Sequence, residues 1–189
     1  MREFLKNYYN ESIQIQVAAS ETLADVLTDA ADLLVSSLLA GQRVFSCGDG
    51  QSLFVANHFA DLLLQGAELE RPPFPAVALG GSPSQISELE SIARQVQAIG
   101  SQGDILVAFI SERQSERVHQ AMEAALSREM TIIAITGTES GDATGLLGPA
   151  DIEIQIPAAN PARITEQQLF ISHLLCSLIE QQIFQGGAH

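Results

Sequence analysis

The chain has 189 residues, 46% of them hydrophobic, and a formal net charge of −14 from 9 Lys+Arg against 23 Asp+Glu. That length suits one domain, or one domain with an added helical arm, and gives core enough to fold without disulfide or metal staples. The charge argues against nucleic-acid binding, which rests on Lys and Arg contacts to phosphates, and no apolar run approaches the roughly 18–20 residues of a membrane span.

Residues 3–40 read as helix. Phe4, Leu5, Tyr8, Ile15, Ala18 and Ala19 recur at helical spacing, and a second periodic run holds Leu23, Val26, Leu27, Ala30, Leu34, Leu38 and Leu39. Ser20 or Thr22 could cap the second run, and Gly41 ends it. These two helices carry more apolar surface than one sheet face requires. They either pack on the sheet or form an arm exchanged between subunits.

From residue 43 strands and helices alternate. Strands are expected at Arg43–Cys47, Pro75–Leu79, Asp104–Ile110, Met130–Thr136 and Ile152–Ile156. Helices are expected at Ser52–Gln65, Ser84–Ile99, Ser115–Ser127 and Ala162–Phe184. Runs such as ILVAFI and TIIAI are apolar throughout, as in a parallel sheet covered on both faces. The expected fold class is α/β, a three-layer sandwich around a parallel sheet. The opening MREFLKNYYNES lacks the order of a secretion signal. Cys47 and Cys176 are the only cysteines, too few for a disulfide framework. A soluble cytoplasmic protein is the natural expectation.

The segment VFSCGDGQS runs from a strand through a glycine turn toward a helix N-terminus. Gly48, Gly50, Gln51 and Ser52 are thus candidate ligand residues, since glycines let backbone N–H groups approach an anion and the helix dipole favours it. The turn has neither a P-loop lysine nor the full dinucleotide fingerprint, so a turn needed only for geometry is the alternative. The corresponding turn after the third strand offers Ser111 and Ser115, but Glu112 and Glu116 oppose an anion there. Arg113 either offsets them or pairs with a carboxylate. His58 and His173 lie on distant helices without metal-ligand spacing. They are expected as core or interface residues, with a meeting across a subunit boundary as the sharper alternative. His119 and His189 read as surface and terminal residues. Ile183 and Phe184 end the last helix, either closing a bundle or anchoring a partner.

Nearly the whole chain resembles the sugar isomerase (SIS) domain family. The resemblance is carried, in order, by NESIQIQVAASETL, VFSCGDGQS, ANHFAD, ERPPFPAVAL, GDILVAFIS, REMTIIAITG, GLLGPADIEIQIP, ARITEQQ and LLCSLIEQQIF. Two branches are similar to it: the phosphoheptose isomerases and, more closely, the DiaA-like proteins that associate with the replication initiator DnaA. The resemblance implies a single domain over 1–189, with 1–40 as a helical arm. It also implies five parallel strands in flavodoxin-like order and a homotetramer.

For catalysis the resemblance implies a sugar-phosphate loop at Ser46–Ser52, where Asp49 and Gln51 replace the isomerases' Asn and Gly. The second loop, Ser111–Ser115, is one residue shorter than theirs and lacks their glycine. His58 and His173 match the isomerases' two histidines, but Leu62 stands at their glutamate and Thr165 at their glutamine. The stretch GSPSQISELESIARQ lacks their Asn-Asp pair. Isomerisation needs a positioned base and acid, so His58 and His173 are expected to be remnants, with no catalytic set, no metal and no cofactor. Ile183 and Phe184 match the Leu-Phe with which the DiaA-like branch contacts DnaA. The expected function is non-catalytic binding of a protein partner, DnaA foremost, in chromosome replication initiation. The alternatives are a sedoheptulose 7-phosphate isomerase, or a sugar-phosphate sensor with a degenerate site.

Overall fold

The computed structural model describes residues 1–80, 90–140 and 145–185. Helices α1 (Arg2–Thr22) and α2 (Ala24–Leu39) come first and meet at Leu23. Neither expected cap serves α2. Ser20 Oγ donates to the Val17 carbonyl at 2.7 Å and Thr22 Oγ1 to that of Ala18 at 2.9 Å, so both hydroxyls bond back into α1.

The alternating part follows as β1 (Val44–Gly48), α3 (Ser52–Gln65), β2 (Ala76–Ala78) and α4 (Ser91–Ile99). It continues with β3 (Ile105–Phe109), α5 (Glu116–Ser127), β4 (Thr131–Thr136), β5 (Ile152–Gln155) and α6 (Pro161–Glu180). Residues 84–89 of the expected fourth-helix segment lie outside the described residues. The last helix departs from expectation. Its α-helical pattern stops at Glu180, and Gln181–Gln185 form a π-helical turn. Asn160 opens α6 by accepting from the Ala162 N–H, and Pro161 follows it, the favoured sequence for a helix start.

The five strands are all parallel, in the order β2-β1-β3-β4-β5. Strand residues alternate between two cores, as the two-residue period of a strand requires. Val44, Ile105, Val107, Phe109, Ile133 and Ile135 face α2, α3 and α6. Phe45, Cys47, Leu106, Ala108, Ile132 and Ala134 face α4 and α5. This is the sandwich that the unbroken apolar runs predict. The strand order reverses direction at β1 and β3, so their C-terminal ends flank the crevice where open α/β sheets bind ligands.

Helix α1 behaves differently from its periodic pattern. Ala19 is its only buried residue, and Leu5, Tyr9, Ile13 and Val17 form an exposed row at four-residue spacing. Polar contacts hold α1 to α6: Ser12 Oγ donates to Glu166 at 3.0 Å and Gln167 Nε2 to Gln16 at 2.7 Å. The Arg163 guanidinium lies 3.9 Å from the Tyr8 ring centroid, a cation–π arrangement.

Behind the sheet, Glu180 and Arg71 form an ion pair at 2.9 Å with both side chains 2% exposed. The Glu180 carboxylate also accepts from the N–H groups of Ala67, Glu68 and Leu69. Arg71 in turn donates to the carbonyls of Leu62 and Leu63, satisfying the end of α3 where helical carbonyls lack partners. Among the described residues no helix is long and apolar enough to cross a membrane.

Candidate functional site

The crevice begins at the end of β1. A Cβ at Gly48 would lie 2.5 Å from the Ser52 carbonyl oxygen, so only glycine lets α3 start so close to its strand. Gly50 has φ +36°, and a Cβ there would lie 2.6 Å from the Glu112 Oε1. Glu112 therefore reaches across from the turn after β3 and covers the glycine turn after β1.

Between them sits Asp49, only 5% exposed. Its carboxylate accepts from the Ser111 N–H at 3.0 and 3.2 Å, from Ser111 Oγ at 2.9 Å and from the Glu112 N–H at 3.2 Å. The two loops are thus bonded to each other through one side chain. Successive backbone N–H groups in a turn make an anion site, and here the anion they hold is the chain's own.

The candidate ligand residues are scattered by these contacts. Gly48, Gly50 and Ser111 line the Asp49 junction. Ser52 is fully buried and donates to Gln168 Oε1 at 2.7 Å, while Gln168 Nε2 donates to the carbonyls of Ile110 and Ile135. Ser52 is thereby part of a buried strut between α3, α6 and the strand ends. Gln51 is exposed beside a cavity of about 280 Å³ lined also by Tyr8, Phe54, Arg163, Thr165 and Glu166. Ser115 opens α5 without a side-chain cap bond. Arg113 pairs with Glu139 at 3.0 Å, both well exposed, so it takes a carboxylate from outside its own turn.

His58 and His173 meet within one chain. Their Nε2 atoms are 3.0 Å apart, one ring donating and the other accepting, and Phe54 stacks on His58 at 6.3 Å. The sharper alternative placed that meeting across a subunit boundary; α3 and α6 are packed neighbours, which brings the rings together without a second copy. Burial, and next the adjacent His173, hold the His58 imidazole below its usual range against the opposing pull of Asp61. Among the described residues no group of three His, Cys, Asp or Glu gathers at metal-binding distance. Leu62 is buried, and Thr165 Oγ1 donates back to the Pro161 carbonyl at 2.9 Å. Burial pushes the Cys47 and Cys176 thiols up to about 12, so neither supplies a thiolate nucleophile near neutral pH.

At the far end of α6, Ile183 packs partly buried against the first core. Phe184 is 46% exposed, with its ring 6.0 Å from that of Phe74. Phe74 lies in turn under Arg71, at 3.9 Å. The roles of Asp49, Gln168 and Glu180 went unread in the sequence. Glu180 carried a signal, a lone carboxylate inside the apolar stretch LLCSLIEQQIF, and Asp49 another, a charge in the glycine turn where the isomerases have Asn; Gln168 had none, since its partners are distant in the chain.

Known proteins share this architecture over the whole chain. The SIS domain family matches residues 7–137. A phosphoheptose isomerase of Colwellia psychrerythraea is 41% identical, with 99% of each chain covered. The DnaA initiator-associating protein DiaA of Escherichia coli is also 41% identical, with 97% of each covered. The solved phosphoheptose isomerase of Francisella tularensis superposes with a TM-score of 0.88 at 32% identity, covering 96% of this chain and 98% of its own. That of Neisseria gonorrhoeae gives the same TM-score at 28% identity, with 95% and 98% covered. Sheet order, loop placement and relatives agree: the chain belongs to the SIS domain family.

Proposed function

We propose that this is a non-catalytic SIS protein of the cytoplasm that binds a protein partner, the replication initiator DnaA, and acts in chromosome replication initiation. One observation carries the reading: His58 and His173 are hydrogen-bonded to each other, and Leu62 and Thr165 stand where the resemblance puts the isomerases' glutamate and glutamine. A leucine moves no proton, and Thr165 is tied to its own helix. Loss of one positioned acid or base typically costs 10²–10⁴-fold, and here more than one is replaced. The DiaA relative supports the partner. Phe184, exposed on a braced ring stack, supports the contact surface. The competing reading, a phosphoheptose isomerase or a sugar-phosphate sensor, draws on the Colwellia relative of equal identity.

Two measurements separate them. The purified protein is expected to convert no sedoheptulose 7-phosphate above background and to capture cognate DnaA at micromolar concentration. Turnover on the order of 1 s⁻¹ or more would establish the isomerase instead. Restoring Leu62→Glu and Thr165→Gln together is expected not to recover activity, because the second loop, Ser111–Ser115, and the stretch that lacks the isomerases' Asn-Asp pair are altered as well.

The same reading includes a homotetramer in which residues 1–40 are an arm on a single 1–189 domain. The exposed row on α1, with Phe54 on α3 and Phe170 on α6, supplies apolar surface that a second copy would cover. Light scattering is expected to give four subunits, and a stable monomer at micromolar concentration contradicts this.

A further inference from the structure

We propose that Asp49 is a built-in anion that decides the ligand class of this crevice: its carboxylate takes the donors between β1 and β3 that a phosphate ester would need, and so turns such ligands away. The inference deepens the reading of the site as non-catalytic, because it names what closes it.

The geometry carries the assignment. A phosphate ester held at a strand-turn-helix site is bound by turn N–H groups and hydroxyls beyond the sheet's C-terminal edge. Ser111 N–H, Ser111 Oγ and Glu112 N–H are three such donors, all on the turn after β3, and all three point at one carboxylate. Asp49 is held there from both sides. Its own N–H donates to the Phe109 carbonyl at 3.2 Å, which fixes the backbone beside β3. Its carbonyl accepts from the Leu53 N–H at 3.1 Å, which fixes it to the first turn of α3.

A phosphate entering this space meets two obstacles. The donors are already engaged, and exchanging them returns no net hydrogen bonding. The nearly buried carboxylate also repels a second anion, with little water to screen it. Glu112 adds a further carboxylate over Gly50, yet it sits on an exposed side chain that can swing away. Asp49 has no such freedom, so the discrimination is assigned to Asp49 and not to Glu112.

The test uses the full-length protein with inorganic phosphate and glucose 6-phosphate as probes, read by calorimetric titration and by thermal melting. Wild type is expected to show no saturable binding at low millimolar concentration. Asp49→Asn keeps the size and one acceptor for Ser111 but removes the charge, and Asp49→Ser clears the space. Each is expected to bind phosphate at least about tenfold tighter than wild type, the worth of one hydrogen bond to a charged group. Glu112→Gln is expected to leave wild-type behaviour unchanged. Circular dichroism checks that each variant is folded.

Tight phosphate binding by wild type overturns the inference, as does failure of both folded Asp49 variants to gain it. Should neither variant fold, the wild-type titration decides by the same criterion. Phosphate binding by wild type without turnover of sedoheptulose 7-phosphate would overturn this inference alone, whereas turnover by wild type would overturn the non-catalytic reading as well.

Discussion

Replacing Glu180 by alanine is expected to cost about 3–5 kcal/mol of folding stability, the usual result of leaving one partner of a buried ion pair alone. The Glu180 carboxylate accepts from three consecutive backbone N–H groups, Ala67 to Leu69, and from Arg71 Nε. Its removal orphans all four donors in a site where both side chains are 2% exposed. The pair is also expected to leave a pH signature. Burial alone would raise the Glu180 carboxyl, but the N–H groups of Ala67 and Glu68 and the Arg71 guanidinium outweigh it and hold the group below its usual value of 4.5. A depressed carboxyl contributes stability that is present above the unfolded value and lost as pH falls through the folded one. Wild type should therefore lose stability below about pH 4.5 more steeply than Glu180→Gln. Urea denaturation at pH 7 and across the acid range measures both effects. A loss under about 1 kcal/mol for the alanine variant would show that solvent or neighbours replace the carboxylate.

The second large effect concerns the partner. Phe184→Ala is expected to weaken DnaA binding about 30-fold or more while leaving the tetramer intact. A central aromatic anchor typically carries about 2 kcal/mol or more at an interface. Phe184 has the right support for that role. Its ring rests on Phe74, which is fixed under the Arg71 guanidinium of the buried network. A pre-braced ring loses little freedom on binding. Because Phe184 stacks on its own chain, truncating it should not disturb contacts between copies. The acidic surface should add steering, so the association rate should fall with rising salt. Surface-binding kinetics with cognate DnaA read all of this. Binding unchanged in Phe184→Ala would move the contact elsewhere, and no binding by wild type would remove the initiator assignment.

Much of the fold could be read because its signals are local. Runs such as ILVAFI in β3 declare a strand covered on both faces, and the periodic apolar residues of α2 found the core, save Leu39 at its end, which is 69% exposed. Strand boundaries shifted by a residue or so, whereas the last helix leaves its α-helical pattern four residues before the expected Phe184 and α4 begins at Ser91. What escaped was set by competition between partners, some local and some distant in the chain. The hydroxyls of Ser20 and Thr22 looked like caps, but an intact preceding turn offered them carbonyls. Apolar residues on α1 looked like core, but periodicity reports an amphipathic face without saying what covers it. At the site, the glycines and serines were visible as candidates. That Ser52 would be consumed by Gln168, and Ser111 by Asp49, depends on pairs 116 and 62 residues apart.

The two outer strands of the sheet are its shortest, β2 with 3 residues and β5 with 4. Unpaired strand edges are templates for other chains, and brevity is one of the ways proteins blunt them. Backbone ladders thus give a neighbouring copy almost nothing to extend. Recognition is left to side chains on helices, where shape and charge can discriminate between a sister subunit and any other protein that drifts past. A scaffold that cannot grow by its sheet is free to carry a sticky helical surface without polymerising.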